Sequence, residues 1–124
     1  MGQVTIKQIE ELGYYTGEHA IADVKFRYAA KELGVSAWGM NVIEIGPRCA
    51  KYPEHDHRGD GQEEVYVVLR GSARLRAGGE ERRLGVGAMV RVAPEQKRAW
   101  LTDDEGVTLL ALGATPGQAY VPKT

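Results

Sequence analysis

Short apolar segments separated by turn-forming residues run through most of this chain of 124 residues. Sixteen glycines lie between and within these segments, and glycine supplies the positive φ that tight turns require. Short strands at such close spacing are typical of barrels and sandwiches. The sequence therefore predicts an all-β fold, with strand candidates at residues 35–45, 65–69, 88–92, 97–101 and 107–112.

The clearest hairpin lies in the segment SARLRAGGEERRL, residues 72–84. Arg74 and Arg76 alternate with small and apolar residues, so the period of two directs both arginines to the outside. Gly78-Gly79 can form the two-residue turn, because both positions of such a turn favour a positive φ. We expect two antiparallel strands joined at this dipeptide.

The chain is predicted to form one structural domain, with a barrel over residues 35–124 and an N-terminal arm over residues 1–34 that packs on it. A chain of this length can bury a sizeable core without disulfides or a structural metal. Within the arm, Thr5 followed by Gln8 before the apolar residues 9–12 predicts a cap on one short helical turn.

Charge and composition limit the partners and the compartment. Sixteen Lys and Arg against seventeen Asp and Glu leave a net charge of -1, so the chain lacks the positive field typical of nucleic-acid binders. No apolar run approaches the ~20 residues that span a bilayer. The single cysteine, Cys49, has no internal disulfide partner, and the N-terminus does not resemble a secretory signal. We expect a soluble, cytoplasmic protein that binds neither nucleic acid nor membrane.

The residues with the most chemical potential fall within HDHRGDGQEEVYVVLRG, residues 55–71. His55 and His57 are two apart, and an extended backbone would direct both imidazoles to one face. Alternation along the following strand places Glu64 and Tyr66 on one face and Val65 on the opposite face. A carboxylate on an otherwise apolar strand needs a partner, which a metal ion or an arginine could supply. By itself the histidine pair also fits a solvent-exposed turn.

This segment resembles the first motif of the cupin superfamily, which runs from a glycine to a His-x-His pair, a glutamate and, after six further residues, another glycine. The matching positions are Gly46, His55, His57, Glu64 and Gly71. The resemblance implies a double-stranded β-helix, or jelly-roll barrel. It also implies a divalent metal ion (Fe, Mn, Zn or Ni) held by His55, His57 and Glu64.

The second cupin motif is degraded in GAMVRVAPEQKRAW, residues 87–100. The family commonly has an aspartate where Ala88 stands and a histidine as the fourth metal ligand. Counting from Gly87 places Arg98 at the histidine position, and counting from Pro94 places Ala99 there. Neither side chain can bind a metal, since arginine stays protonated and has no lone pair to donate.

Two accounts of the pocket remain open at this stage. In the first, a metal is bound and Arg98, near the mouth, holds the carboxylate or phosphate of a small organic ligand, because its fork matches such anions. In the second there is no metal, Arg98 pairs directly with Glu64, and the protein binds or senses a small molecule without catalysis. Tyr66 is a candidate ligand contact in both.

A homodimer is the expected assembly. Two-fold dimers are the commonest oligomers, and the resemblance implies strand exchange or sheet-to-sheet packing. If Glu64 faces inward, the opposite face of its strand, with Val65, Val67 and Leu69, becomes the candidate contact surface.

Overall fold

The computed structural model describes residues 3–122, and within that range the chain forms an antiparallel, all-β jelly-roll. Five strands follow the spatial order β1-β2-β7-β3-β4, and β5 and β6 each pair with β3. The strands are β1 (Val24–Tyr28), β2 (Gly39–Ile45), β3 (Glu63–Ala77), β4 (Glu80–Gly85), β5 (Met89–Val92), β6 (Arg98–Leu101) and β7 (Val107–Ala114). The predicted fold class is confirmed.

The long strand β3 connects the two halves of the barrel. Its first half pairs with β5 and β7, whereas its second half pairs with β4 and β6. The register with β7 shifts between Val68 and Arg70, and Gly71 follows with φ of 72°. A Cβ at Gly71 would lie 1.9 Å from the carbonyl oxygen of Gly106, so only glycine fits this bend. The sequence had predicted only residues 65–69 and the hairpin arm as separate strands.

The predicted hairpin is confirmed. Strands β3 and β4 pair from Ser72 opposite Gly85 to Ala77 opposite Glu80. Gly78 and Gly79 both have positive φ, as a two-residue turn that continues the twist of the strands requires.

Alternation along β3 fills the barrel as predicted. Tyr66 and Val68 are buried and join a core that includes Trp100 and Leu109, both of them fully buried. Cys49 is also buried in this core. Large buried side chains thus form the core of the barrel.

The N-terminal segment contributes more regular structure than its sequence indicated. Residues Ile9–Glu11 form one 3-10 turn, but it begins after Gln8, whose backbone N–H donates to the Glu11 carboxylate at 2.8 Å; the prediction of Thr5 as the cap was wrong. Strand β1 pairs with β2, and a short helix, α1 (Ala29–Leu33), ends at Gly34, whose φ is 81°. No helix within residues 3–122 is long and apolar enough to cross a membrane.

The first predicted strand is shorter than expected, since β2 begins at Gly39 rather than at residue 35. On the outer face of the sheet, Val65, Val67 and Leu69 are half-buried. Val67 pairs with Met89, whose side chain is 74% exposed.

Candidate metal centre

Backbone pairing fixes the positions of the three predicted ligands. Glu64 is the second residue of β3, held between Val92 of β5 and Gly113 of β7. His55 forms an isolated antiparallel bridge with Arg98, with N–H to O distances of 3.1 and 3.0 Å. The backbone N–H of His57 donates to the carbonyl of Pro94 at 2.7 Å. The loop that carries both imidazoles is therefore pinned to the start of β6 and to the turn before it.

The three side chains converge, as the alternation predicted. One ligand atom from each of His55, His57 and Glu64 lies within 4.8 Å of the others. Glu64 Oε1 is 3.3 Å from His57 Nε2 and 3.9 Å from His55 Nε2. The two imidazole rings stand almost perpendicular, with centroids 5.1 Å apart.

Hydrogen bonds orient each imidazole so that Nε2 faces the carboxylate. His55 Nδ1 lies 3.0 Å from the carbonyl of Pro53, and His57 Nδ1 lies 3.1 and 3.2 Å from the two carboxylate oxygens of Asp60. These partners only accept, so an imidazole with its proton on Nδ1 would keep the lone pair of Nε2 available for a metal ion. This is how metal-binding histidines are commonly held.

The donor set fits a divalent transition metal. Among the residues described, His57 Nε2 is buried and has no hydrogen-bond partner. It lies 3.3 Å from Glu64 Oε1, so a cation bound by both atoms would satisfy the nitrogen and the carboxylate together. Two imidazoles and one carboxylate are a ligand set that several first-row metals accept.

The electrostatics of the pocket keep Glu64 ionised. Burial acts to raise the pKa of the Glu64 carboxyl, but interactions with His55 and Tyr66 and the charges of His57 and Arg98 hold that pKa below its ordinary value. The same carboxylate raises the pKa of His55. Glu64 is therefore a carboxylate acceptor, available to a metal, near neutral pH.

Tyr66 contacts Glu64 rather than lining the open pocket. Its hydroxyl donates to Glu64 Oε1 at 2.8 Å, and the hydroxyl of Tyr52 lies 3.4 Å from that of Tyr66. Burial raises the pKa of Tyr52 to about 12 and raises that of Tyr66 further. Both phenols are thus protonated and can donate.

Arg98 lies beside the ligands, but the expectation that it stands near the mouth was wrong, since its side chain is fully buried. Strand alternation turns Arg98 and Trp100 inward together. Its guanidinium donates to the carbonyls of His55 and Ala93 at 3.4 and 3.3 Å, and Nη2 is 3.9 Å from Glu64 Oε1. Counting from Gly87 therefore gave the residue that adjoins the site. The contact with Glu64 is an ion pair that is too long for a hydrogen bond.

A cavity of about 330 Å³ opens beside the imidazoles. His55 lies at its edge, with about a third of its side chain exposed. The cavity is lined by His55, Asp56, His57, Gly59 and Asp60. A small molecule can reach the imidazoles from this side.

Two residues at the centre were not recognised as functional from the sequence. The sequence alone assigns no role to Asp60 or to Tyr52. The turn signal Gly59-Asp60-Gly61 could have indicated only that the Asp60 carboxylate accepts from a nearby backbone group, as it does from the N–H of Gln62. No sequence spacing links Tyr52 to Tyr66.

Comparison with solved structures identifies the fold. No protein-family model and no curated protein matches the sequence. Among solved structures, a cupin protein from Bacteroides fragilis matches with a TM-score of 0.67 at 19% identity, over 86% of this chain and 90% of that one. A sugar phosphate isomerase of the cupin superfamily from Silicibacter pomeroyi matches with a TM-score of 0.74 at 15% identity, over 95% and 77%. The chain has a cupin fold.

A further cupin-like match is the Fe(II) form of HppE with an alternative substrate, at a TM-score of 0.67 and 16% identity. The alignment covers 92% of this chain and 62% of that chain. At such identities the similarity establishes the fold, and the chemistry has to be argued from this chain's own residues.

Proposed function

We propose that this protein is a metal-binding cupin in which His55, His57 and Glu64 hold one divalent transition metal, with Fe, Mn, Zn and Ni as the candidates. The observation that carries the proposal is the pair of imidazoles whose Nδ1 atoms are occupied by acceptors and whose Nε2 atoms both face the Glu64 carboxylate. The buried Nε2 of His57, which has no hydrogen-bond partner in the described structure, supports it.

A small anionic organic molecule is the ligand class that fits this charge pattern. A divalent metal on two neutral imidazoles and one carboxylate keeps a net positive charge, and Arg98 adds another close by. The cavity beside His55 and His57 gives access to the metal. A metal in such a site acts as a Lewis acid or activates oxygen, which is compatible with oxygenase-type or isomerase-type chemistry. The residues of the chain would hold the metal, and an anionic ligand would balance the remaining positive charge.

The alternative is a metal-free cupin that binds or senses a small molecule, with Glu64 neutralised by Arg98. The buried guanidinium 3.9 Å from Glu64 Oε1 favours it. However, the hydrogen bonds of Arg98 go to two backbone carbonyls, and Glu64 takes its hydrogen bond from Tyr66. The Arg98 ion pair also leaves the orientation of the two imidazoles unexplained.

Elemental analysis of protein purified without chelator and without a metal-affinity tag tests the choice. We expect near-stoichiometric transition metal in the wild type and its loss in His57→Ala. His19→Ala is the matched control, because His19 is exposed and lies outside the site, so its metal content should equal that of the wild type. Absence of metal from all three proteins, even after incubation with each candidate metal and desalting, would establish the metal-free account.

We also propose that the protein forms a homodimer through the outer face of the sheet. Val65, Val67 and Leu69 lie half-buried on that face, and the exposed Met89 stands beside Val67. Apolar side chains with this exposure fit contact with a second copy.

A further inference from the structure

Two buried tyrosines stand behind the carboxylate ligand. The hydroxyl of Tyr66 donates to Glu64 Oε1 at 2.8 Å, the same oxygen that faces both imidazoles. A carboxylate only accepts hydrogen bonds, so the proton of this bond belongs to Tyr66. The Tyr66 hydroxyl oxygen then remains free to accept from Tyr52 at 3.4 Å. The chemistry therefore gives the chain one direction, from Tyr52 through Tyr66 to Glu64.

The surroundings hold both phenols in place. The ring of Tyr66 packs edge-on against fully buried Trp100, with centroids 5.3 Å apart. The ring of Tyr52 lies between Phe26 and His55, at centroid distances of 6.2 and 5.8 Å. Tyr52 thus contacts His55 through its ring and is linked to Glu64 through the hydroxyl of Tyr66.

We infer that Tyr66 is a positioning residue for the metal ligand Glu64, and that Tyr52 strengthens this action through the hydroxyl–hydroxyl contact. The inference rests on the proposed metal site and assigns to Tyr66 a role different from ligand contact. A carboxylate on a flexible side chain can rotate between ligand geometries, and a hydrogen bond to one oxygen restricts that rotation. Partners of this kind commonly change metal affinity about tenfold to a hundredfold when removed.

Cobalt(II) is the probe, because its visible absorption bands report the geometry of its ligands. Tyr66→Phe keeps the ring packing on Trp100 and removes only the hydroxyl. We expect it to bind Co(II) about tenfold to a hundredfold more weakly than the wild type and to shift the absorption bands. Tyr14→Phe, at an exposed tyrosine away from the site, should change neither quantity.

A double-substitution cycle tests whether the hydroxyls of Tyr52 and Tyr66 act as one hydrogen-bonded chain. Tyr52→Phe should weaken Co(II) binding less than Tyr66→Phe does, and it should add nothing further in a Tyr66→Phe background. Independent losses that add in the double variant would show that the Tyr52 hydroxyl does not act through the Tyr66 hydroxyl and would overturn its assigned role. If Tyr66→Phe does not fold, Tyr52→Phe decides alone, since an unchanged spectrum and affinity would overturn the chain.

The outcomes keep the two proposals apart. A wild type that binds Co(II), with Tyr66→Phe matching it in affinity and spectrum, overturns the positioning role and leaves the metal site intact. A folded wild type that binds no Co(II) overturns the metal site and the inference with it.

Discussion

The sharpest test of the centre concerns Asp60, which holds His57 from behind. Its two oxygens lie 3.1 and 3.2 Å from His57 Nδ1, and Oδ1 also accepts the backbone N–H of Gln62 at 3.1 Å. Asp60→Ala removes the acceptor that fixes the tautomer with a free Nε2. The imidazole can then carry its proton on Nε2, which cannot bind a metal in that form.

The expected loss follows from the geometry. A hydrogen bond to a charged group contributes about 1.5 to 3 kcal/mol. Because the Asp60 side chain is 31% exposed, water replaces part of that interaction, and we take the lower half of the range. At about 1.4 kcal/mol per factor of ten, metal affinity should fall about tenfold to fortyfold.

Calorimetric titration of the metal-free protein with Zn(II) measures this loss, and Asp56→Ala is the matched control. Asp56 lies in the same loop and its Oδ1 accepts the backbone N–H of Arg58 at 3.0 Å, as Asp60 does for Gln62. The two aspartates therefore share a turn role, and only Asp60 is hydrogen-bonded to an imidazole. Equal affinities for Asp60→Ala and Asp56→Ala would refute the reasoning, whether both fall or both stay.

Three further predictions concern the bend, the buried arginine and the assembly. Gly71→Ala should lower the free energy of unfolding in urea by more than about 3 kcal/mol, because the new Cβ meets the Gly106 carbonyl. Gly79 has a similar φ of 77° and open space around it, so Gly79→Ala should lower that free energy by only about 1 kcal/mol. Arg98→His should bind Zn(II) at least about tenfold more tightly, since it removes a positive charge beside Glu64 and offers a fourth ligand; unchanged or weaker binding by the folded variant would contradict this. Light scattering should give a dimer for the wild type and a monomer for Met89→Glu, and a wild-type monomer at micromolar concentration would disprove the assembly.

Much of the fold could be predicted because the barrel depends on local signals. The period of two along β3 placed Glu64 and Tyr66 inside, and the Gly78-Gly79 dipeptide located a hairpin that the structure confirms. The five-residue helix α1 could not be predicted in the same way, since so short a segment completes little more than one turn and shows no period.

The site was predictable only as far as spacing determines it. His55, His57 and Glu64 follow from alternation and from the resemblance to a motif. The contact of Asp60 with His57 depends instead on a loop turn that includes Gly61 at φ of 70°, and that conformation is set by the surrounding structure. Sequence spacing also could not predict that the Arg98 side chain is buried. The inward orientation of that side chain depends on the register of β6 with β3.

The proposed centre differs in net charge from one with four neutral or anionic ligands, because Arg98 places a positive charge beside Glu64. Glu64 supplies one negative charge, Arg98 cancels it from 3.9 Å away, and a divalent metal would leave a positive excess in a buried site. Asp60 relieves part of that excess through His57, and an anion at the metal would relieve more. Metal and anion must then strengthen each other's binding by the same factor, because coupling between two sites is reciprocal. If metal and anion bind as proposed, the affinity for metal measured without an anion is the lower limit of the affinity with the anion present.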